Sequence, residues 1–205
     1  MGSYFLLGEI ITTLPLASAQ DLGITHSDHC GSCTRCIEAC PTQCLEPYRI
    51  DASRCISYLT IEHRDTIDPG LHPLMGDWLA GCDVCQEVCP FNDRADRPGT
   101  MHPKYQRNTP GNSLPVLEVL GWDEAARQKT LVNSALKRIK LDQFKRNALI
   151  VAGNLLSRDL EPAADIQIPL LDRIRTIARD VNESEMVRVT AAQVLERSVN
   201  PRRPA

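Results

Sequence analysis

All nine cysteines of this 205-residue chain fall between Cys30 and Cys89, and their spacing restricts what that segment can become. The first limb reads Cys30-x2-Cys33-x2-Cys36-x3-Cys40-Pro41. Three thiolates at two-residue gaps can wrap the corners of one 4Fe-4S cubane, while the fourth lies past a turn and points elsewhere. This is the bacterial ferredoxin run, in which the fourth cysteine serves the other of two clusters. Pro41 has no N–H and turns the chain away from further helix.

The second limb, Cys82-x2-Cys85-x3-Cys89-Pro90, is the same run without its first cysteine, whose place is taken by Leu79. An isolated Cys55 lies upstream to replace it. Eight thiolates then divide into two sets of four: Cys30, Cys33, Cys36 and Cys89 on one cluster, and Cys40, Cys55, Cys82 and Cys85 on the other. Cys44 is left over, either as a small buried residue or as a redox thiol. Two zinc ions would also use C-x-x-C pairs, but a tetrahedral site is gripped by two knuckles, not by a three-cysteine wrap. An odd cysteine count at metal-ligand spacing points to a reducing compartment, and a cytoplasmic location is expected.

The rest of the chain excludes several classes. No apolar run approaches the roughly 20 residues that cross a bilayer, so no membrane partner is expected. Residues 10–16 followed by Ala17-Ser18-Ala19 imitate a secretion signal, but no Lys or Arg precedes Arg35, and Glu9 splits the apolar stretch. The formal net charge is −3, so a nucleic-acid partner has to be argued from a local patch.

Composition divides the chain into an entry segment (1–29), the cysteine module (30–92), a Pro- and Gly-rich linker (93–112) and a helical part (113–200). Ser113 is a candidate cap for a first helix containing Pro115, with Leu114, Leu117 and Leu120 at helical spacing. A second helix is expected from Asp123 to about 139. Leu141, Phe144, Ala148, Val151 and Leu155 mark an amphipathic third. Leu170, Leu171, Ile174, Ile177 and Val181 mark a fourth over 169–181, and Met186, Val189, Ala192 and Leu195 a last one. Pro201 and Pro204 end regular structure. The fold class expected is α+β: a dicluster ferredoxin-like 4Fe-4S module followed by an all-α, HEAT-like helical domain.

Four stretches carry a family resemblance: GSYFLLGEI at 2–10, CGSCTRCIEACPT at 30–42, DASRCISYLTIEHR at 51–64 and GDWLAGCDVCQEVCPFN at 76–92. They resemble epoxyqueuosine reductase, as does LKRIKLDQFKRNALIVAGN at 136–154. The family uses cobalamin and two 4Fe-4S clusters to remove the epoxide oxygen of epoxyqueuosine in tRNA. Its N-terminal cobalamin-binding domain carries an acidic proton donor upstream of the match, so the chain reads as a C-terminal portion, with 1–29 the remnant of that domain. No residue here matches the donor, and the catalytic residue is unassigned.

The resemblance implies Ser57, Cys82 and Asp83 as residues against the corrin, with Thr60, Glu62 and Arg64 facing the nucleotide. Between Arg127 and Arg146 seven basic residues accompany one acid, Asp142. Read alone, this is a solvated helix face; with the resemblance, Lys137, Arg138, Lys145 and Arg146 become candidate tRNA contacts. The implied partners are tRNA, an electron donor and a cobalamin-binding domain, which a separate chain can supply. The competing reading is a stand-alone dicluster ferredoxin with a helical domain for docking a protein partner.

Overall fold

Proline sets where the first helix stops. In the computed structural model, which describes Tyr4 and residues 7–24, 29–92, 114–157 and 164–199, α1 (Arg35–Ala39) ends at Cys40. Cys40 is extended, with φ −65° and ψ 115°, because a residue followed by proline is driven out of the helical region. The chain then makes a two-stranded antiparallel ribbon, β1 (Leu45–Glu46) and β2 (Arg49–Ile50), with Leu45 opposite Ile50. At its tip Pro47 precedes Tyr48, whose φ is +60°, the order a type II turn requires.

A 3-10 turn at Ala52–Arg54 leads into α2 (Ile56–Ile61). Asp51 caps that turn by accepting from the Ser53 N–H at 3.0 Å. Two further 3-10 turns, Pro69–Leu71 and Pro73–Met75, precede the short α3 (Val84–Glu87). After the segment 93–113 come α4 (Val116–Leu120), α5 (Glu124–Thr130), a 3-10 turn at Ala135–Arg138, α6 (Leu141–Leu156), α7 (Ala164–Arg179) and α8 (Glu185–Val199). The expected linker, the Ser113 cap and Pro201 and Pro204 lie outside the described residues. No described helix is long and apolar enough to cross a membrane.

Three helical expectations change. The helix begun at Asp123, whose carboxylate accepts from the Ala126 N–H at 2.7 Å, stops at Thr130 instead of running to 139. Asn133 there adopts φ +57°, which Asn tolerates better than most residues. The Arg127 guanidinium also donates to the carbonyls of Lys137 and Ile139 at 3.0 and 2.8 Å, fixing the returning chain. The fourth helix starts at Ala164, five residues ahead of Pro169, and Val181 lies exposed beyond its end. On α8 the buried stripe is Val187, Thr190, Ala191 and Val194, each next to one of the expected Met186, Val189, Ala192 and Leu195, of which Leu195 packs partly buried against the core.

The core has two parts, and α6 belongs to both. Phe144, Ala148, Leu149 and Ala152 join Val119, Leu120, Trp122, Ile174, Ile177, Val187 and Val194 in the larger. Trp122 meets Phe144 edge-on at 5.6 Å between centroids. Ile150, on another face of α6, packs with Ile56, Leu59, Ile67, Leu71 and Met75 in the smaller, which lies in the cysteine module. Contact with α8 is close: a Cβ on Gly153 would stand 2.8 Å from Val194 Cγ1. Every residue of α6 from Gln143 to Asn154 is therefore buried, where the spacing had marked a single apolar stripe.

The polar residues of α6 are satisfied by backbone carbonyls of the cysteine module. Gln143 donates to Ile61 and His63, both at 3.0 Å. Arg146 donates to Leu59 at 2.5 Å, His63 at 2.8 Å and Asp65 at 2.6 Å. Asn147 donates to Thr60 and Leu79, both at 2.9 Å, and Asn154 to His72 and Gly76 at 2.7 and 2.8 Å. Burial holds the Arg146 guanidinium down to about 10, well within its charged range at neutral pH, so these bonds are charge-assisted. Replacing Arg146 by Met leaves the Leu59 and Asp65 carbonyls unpaired, at about 1–3 kcal/mol each, while His63 keeps its bond from Gln143. The expected result is a lower urea midpoint, equivalent to roughly 2 kcal/mol or more. An unchanged midpoint contradicts this role.

Candidate metal centre

Each limb is shaped by a left-handed glycine and a short helix. Gly31 (φ +51°) turns the chain so that the Cys33 N–H donates to the Cys30 carbonyl at 2.9 Å, leaving both cysteines exposed. Cys36 follows on α1, where Thr34 donates to Glu38, and Cys40 closes the limb. In the second limb Gly81 (φ +81°) precedes Cys82, and Cys85 sits on α3. Cys89 donates its N–H to the Gln86 carbonyl at 3.2 Å, and Asn92 Nδ2 donates to the same carbonyl at 2.7 Å. Because α1 packs against α3, the two limbs meet.

Cys55 joins them as the residue before α2, and Thr60 fixes its distance from the second limb. The Thr60 hydroxyl donates to the Ile56 carbonyl at 2.7 Å and accepts from the Gly81 N–H at 2.9 Å. The backbone just ahead of Cys82 is thereby tied to the helix that Cys55 begins. Thr60 is fully buried, which corrects its expected place facing a nucleotide.

The electrostatics record which sulfurs face one another. Burial pushes the Cys82 thiol up; the Val84 N–H opposes this, and the sulfurs of Cys85, Cys55 and Cys40 add to it. Burial also pushes Cys85 up, with Cys55, Cys36 and Cys40 as its charged neighbours. Cys40 and Cys55 thus lie near both Cys82 and Cys85, with Cys36 of the other proposed set near Cys85. Burial alone would raise Cys40, but its net shift is downward, because the N–H groups of Cys44 and Thr42 and the side chains of both residues donate to it. Cys44 is buried and pushed up to about 12, chiefly by that burial.

Among the described residues no three Cys, His, Asp or Glu side chains close to the distances of a single bound ion. A cubane instead takes one thiolate at each of four irons. The fit to two cubanes rests on the four neighbouring thiols and on the limb backbone. Ser57 and Asp83 each flank one of these cysteines. Ser57 is half-buried on α2, two residues after Cys55. Asp83 is exposed at the start of α3, where its Oδ1 accepts from Gln86 Nε2 at 2.8 Å.

The basic candidates separate by burial. Lys145 lies buried in an ion pair with Glu183 at 2.5 Å, and Arg146 is fully buried on carbonyls. Both leave the expected nucleic-acid surface, as does buried Arg127, because their charge is already satisfied inside the fold. Lys137, Arg138 and Arg64 are exposed. Arg138 pairs with Glu62, bringing the end of α2 beside the turn that precedes α6. Sequence reasoning missed Gln143, Asn147 and Asn154 as supports of the cysteine module. Their shared helical spacing among buried apolar residues was the available signal.

Residues 29–92 match the family described as a 4Fe-4S double cluster binding domain, which makes this an iron–sulfur protein of the two-cluster class. Curated epoxyqueuosine reductases are similar over most of the chain. That of Alicycliphilus denitrificans is 38% identical, with 89% of this chain and 50% of the relative covered. Those of Synechocystis and Pseudomonas aeruginosa are 44% and 37% identical, covering 72% and 96% of this chain and 50% of each relative. A solved epoxyqueuosine reductase from Bacillus subtilis superposes with a TM-score of 0.68 at 25% identity, covering 85% of this chain and 44% of that one. Another, crystallised with an epoxyqueuosine-modified tRNA-Tyr stem loop, shares the fold at a TM-score of 0.57 and 22% identity, covering 84% of this chain and 51% of that one.

The chain belongs to the epoxyqueuosine reductase family and spans about half the length of the curated relatives it matches.

The ligand sets predict distinct iron contents after anaerobic reconstitution. The parent should hold about eight irons per chain, and Cys44→Ala the same. Cys55→Ala should fall to about four. Zinc at about two per chain would contradict the assignment.

Proposed function

We propose that this chain is the electron-relay and tRNA-docking portion of an epoxyqueuosine reductase, reducing the epoxide of epoxyqueuosine in tRNA to queuosine through cobalamin. The observation that carries the reading is the likeness to curated epoxyqueuosine reductases, which extends over nearly the whole chain and takes in both cysteine limbs and α6. When bound, the two cubanes pass single electrons and cobalamin delivers them. Converting an epoxide to an alkene takes up two electrons and two protons and releases water.

The chain's own residues have separable parts in this. Cys30, Cys33, Cys36 and Cys89 hold one cluster, and Cys40, Cys55, Cys82 and Cys85 the other. Ser57 and Asp83, beside ligands of the second set, face the corrin together with Cys82. Thr60 works one layer back, holding the Cys82 backbone on α2 through Gly81. Lys137, Arg138 and Arg64, exposed near Glu62, supply the positive charge that phosphates require. The helices α6, α7 and α8 belong to a HEAT-like stack. Thiolate-held clusters and a tRNA substrate place the protein in the reducing cytoplasm.

Cobalamin titration of the reconstituted full chain tests this reading, followed by reduction and addition of an epoxyqueuosine-containing stem loop. Corrin binding, its reduction through the clusters and salt-sensitive RNA binding weakened by Arg138→Glu are expected. Intact clusters with neither corrin nor RNA bound would favour the ferredoxin alternative, in which the helices dock a protein.

A further inference from the structure

The spare cysteine does not stand apart from the centre. Its sulfur lies 3.5 Å from that of Cys40, and the Thr42 hydroxyl lies 3.6 Å from the same atom. Both residues are buried, Cys44 to 4% and Thr42 to 1% exposure. Neither can turn to water without leaving a buried polar group unpaired.

The backbone is built to bring them there. Gln43, between the two, takes the left-handed conformation with φ +50°, uncommon for a residue with a side chain. Its own N–H donates to the Cys40 carbonyl at 3.1 Å. The loop is held from both sides. Arg54 donates from Nη2 and Nε to the Thr42 carbonyl at 3.1 and 3.3 Å, and the Asp51 N–H donates to the Cys44 carbonyl at 2.8 Å. The curl directs two side chains and two N–H groups at one sulfur.

We propose that Thr42 and Cys44 are positioning residues that donate hydrogen bonds to the Cys40 sulfur and raise the reduction potential of the cluster it serves above the value that cluster has without them. This rests on the reading of Cys40 as a cluster ligand. A sulfur bonded to iron carries no proton and can only accept, so the hydroxyl and the thiol must both donate to it. Reduction adds an electron that is partly borne by the ligand sulfurs, and donors aimed at them stabilise the reduced state. Hydrogen bonding to cluster sulfurs is among the main determinants of these potentials. The Thr42 hydroxyl also meets the Cys44 sulfur, and of the proposed ligand sulfurs it is Cys40 that both side chains reach, so the effect falls on one cluster and sets the two apart as successive stations for an electron.

The test is a redox titration of the reconstituted full chain, followed by electron paramagnetic resonance so that the two clusters are read separately. Cys44→Ala and Thr42→Val should each keep both clusters and shift one midpoint downward, leaving the other in place. Cys44→Ser and Thr42→Ser keep a donor and should return that midpoint towards the parent. Unchanged midpoints in Cys44→Ala and Thr42→Val, with both clusters present, overturn the proposal. Two further outcomes overturn the ligand reading beneath it: loss of a cluster in Cys44→Ala, or retention of both in Cys40→Ala.

Discussion

The structure depends on one run of hydrogen bonds, from the polar side chains of α6 to the carbonyls of the cysteine module. The segment from Leu59 to Leu79 contains little regular structure, and its carbonyls have few backbone partners. Left buried and unpaired, each would cost about 1–3 kcal/mol. Gln143, Arg146, Asn147 and Asn154 meet eight of these carbonyls with nine bonds from one rigid helix, with His63 accepting from two of the four. The irregular path that the cluster ligands require is thereby stabilised from outside the module.

This support explains the altered second limb. Where the ferredoxin run would have a ligand, Leu79 instead packs against the larger core, and its carbonyl accepts from Asn147. Leucine offers iron no donor, and Cys55, whose sulfur lies near that of Cys82, is the proposed replacement at the head of α2. Thr60 then fixes α2 to Gly81, two residues beyond Leu79. The proposed exchange of ligand positions and the docking of α6 are two aspects of one arrangement.

Much of this was legible in the chain, and the failures have a common cause. The cysteine spacing marked the two limbs and the odd position of Leu79, because ligand geometry is local, and it named Cys55 as the candidate replacement. Helical periodicity placed α6 and α8 closely. The basic run from Arg127 to Arg146 was misread in part. Charge in a sequence does not show whether unpaired carbonyls wait opposite it, and Arg127, Lys145 and Arg146 turned inward to such partners or to Glu183. The same blindness to long-range acceptors ended the helix at Thr130 early and hid Thr60 as a support. Cys44 looked spare because its relation to Cys40 depends on the left-handed turn at Gln43, which an ordinary glutamine does not announce.

If α6 holds the cluster-bearing loops in place, the clusters and the helices cannot come apart separately. Anaerobic urea unfolding of the reconstituted protein, followed at once by cluster absorbance and by helical circular dichroism, measures this directly. The account predicts one coincident transition by both signals. Loss of the cluster absorbance at a urea concentration where the helical signal is still native would contradict it.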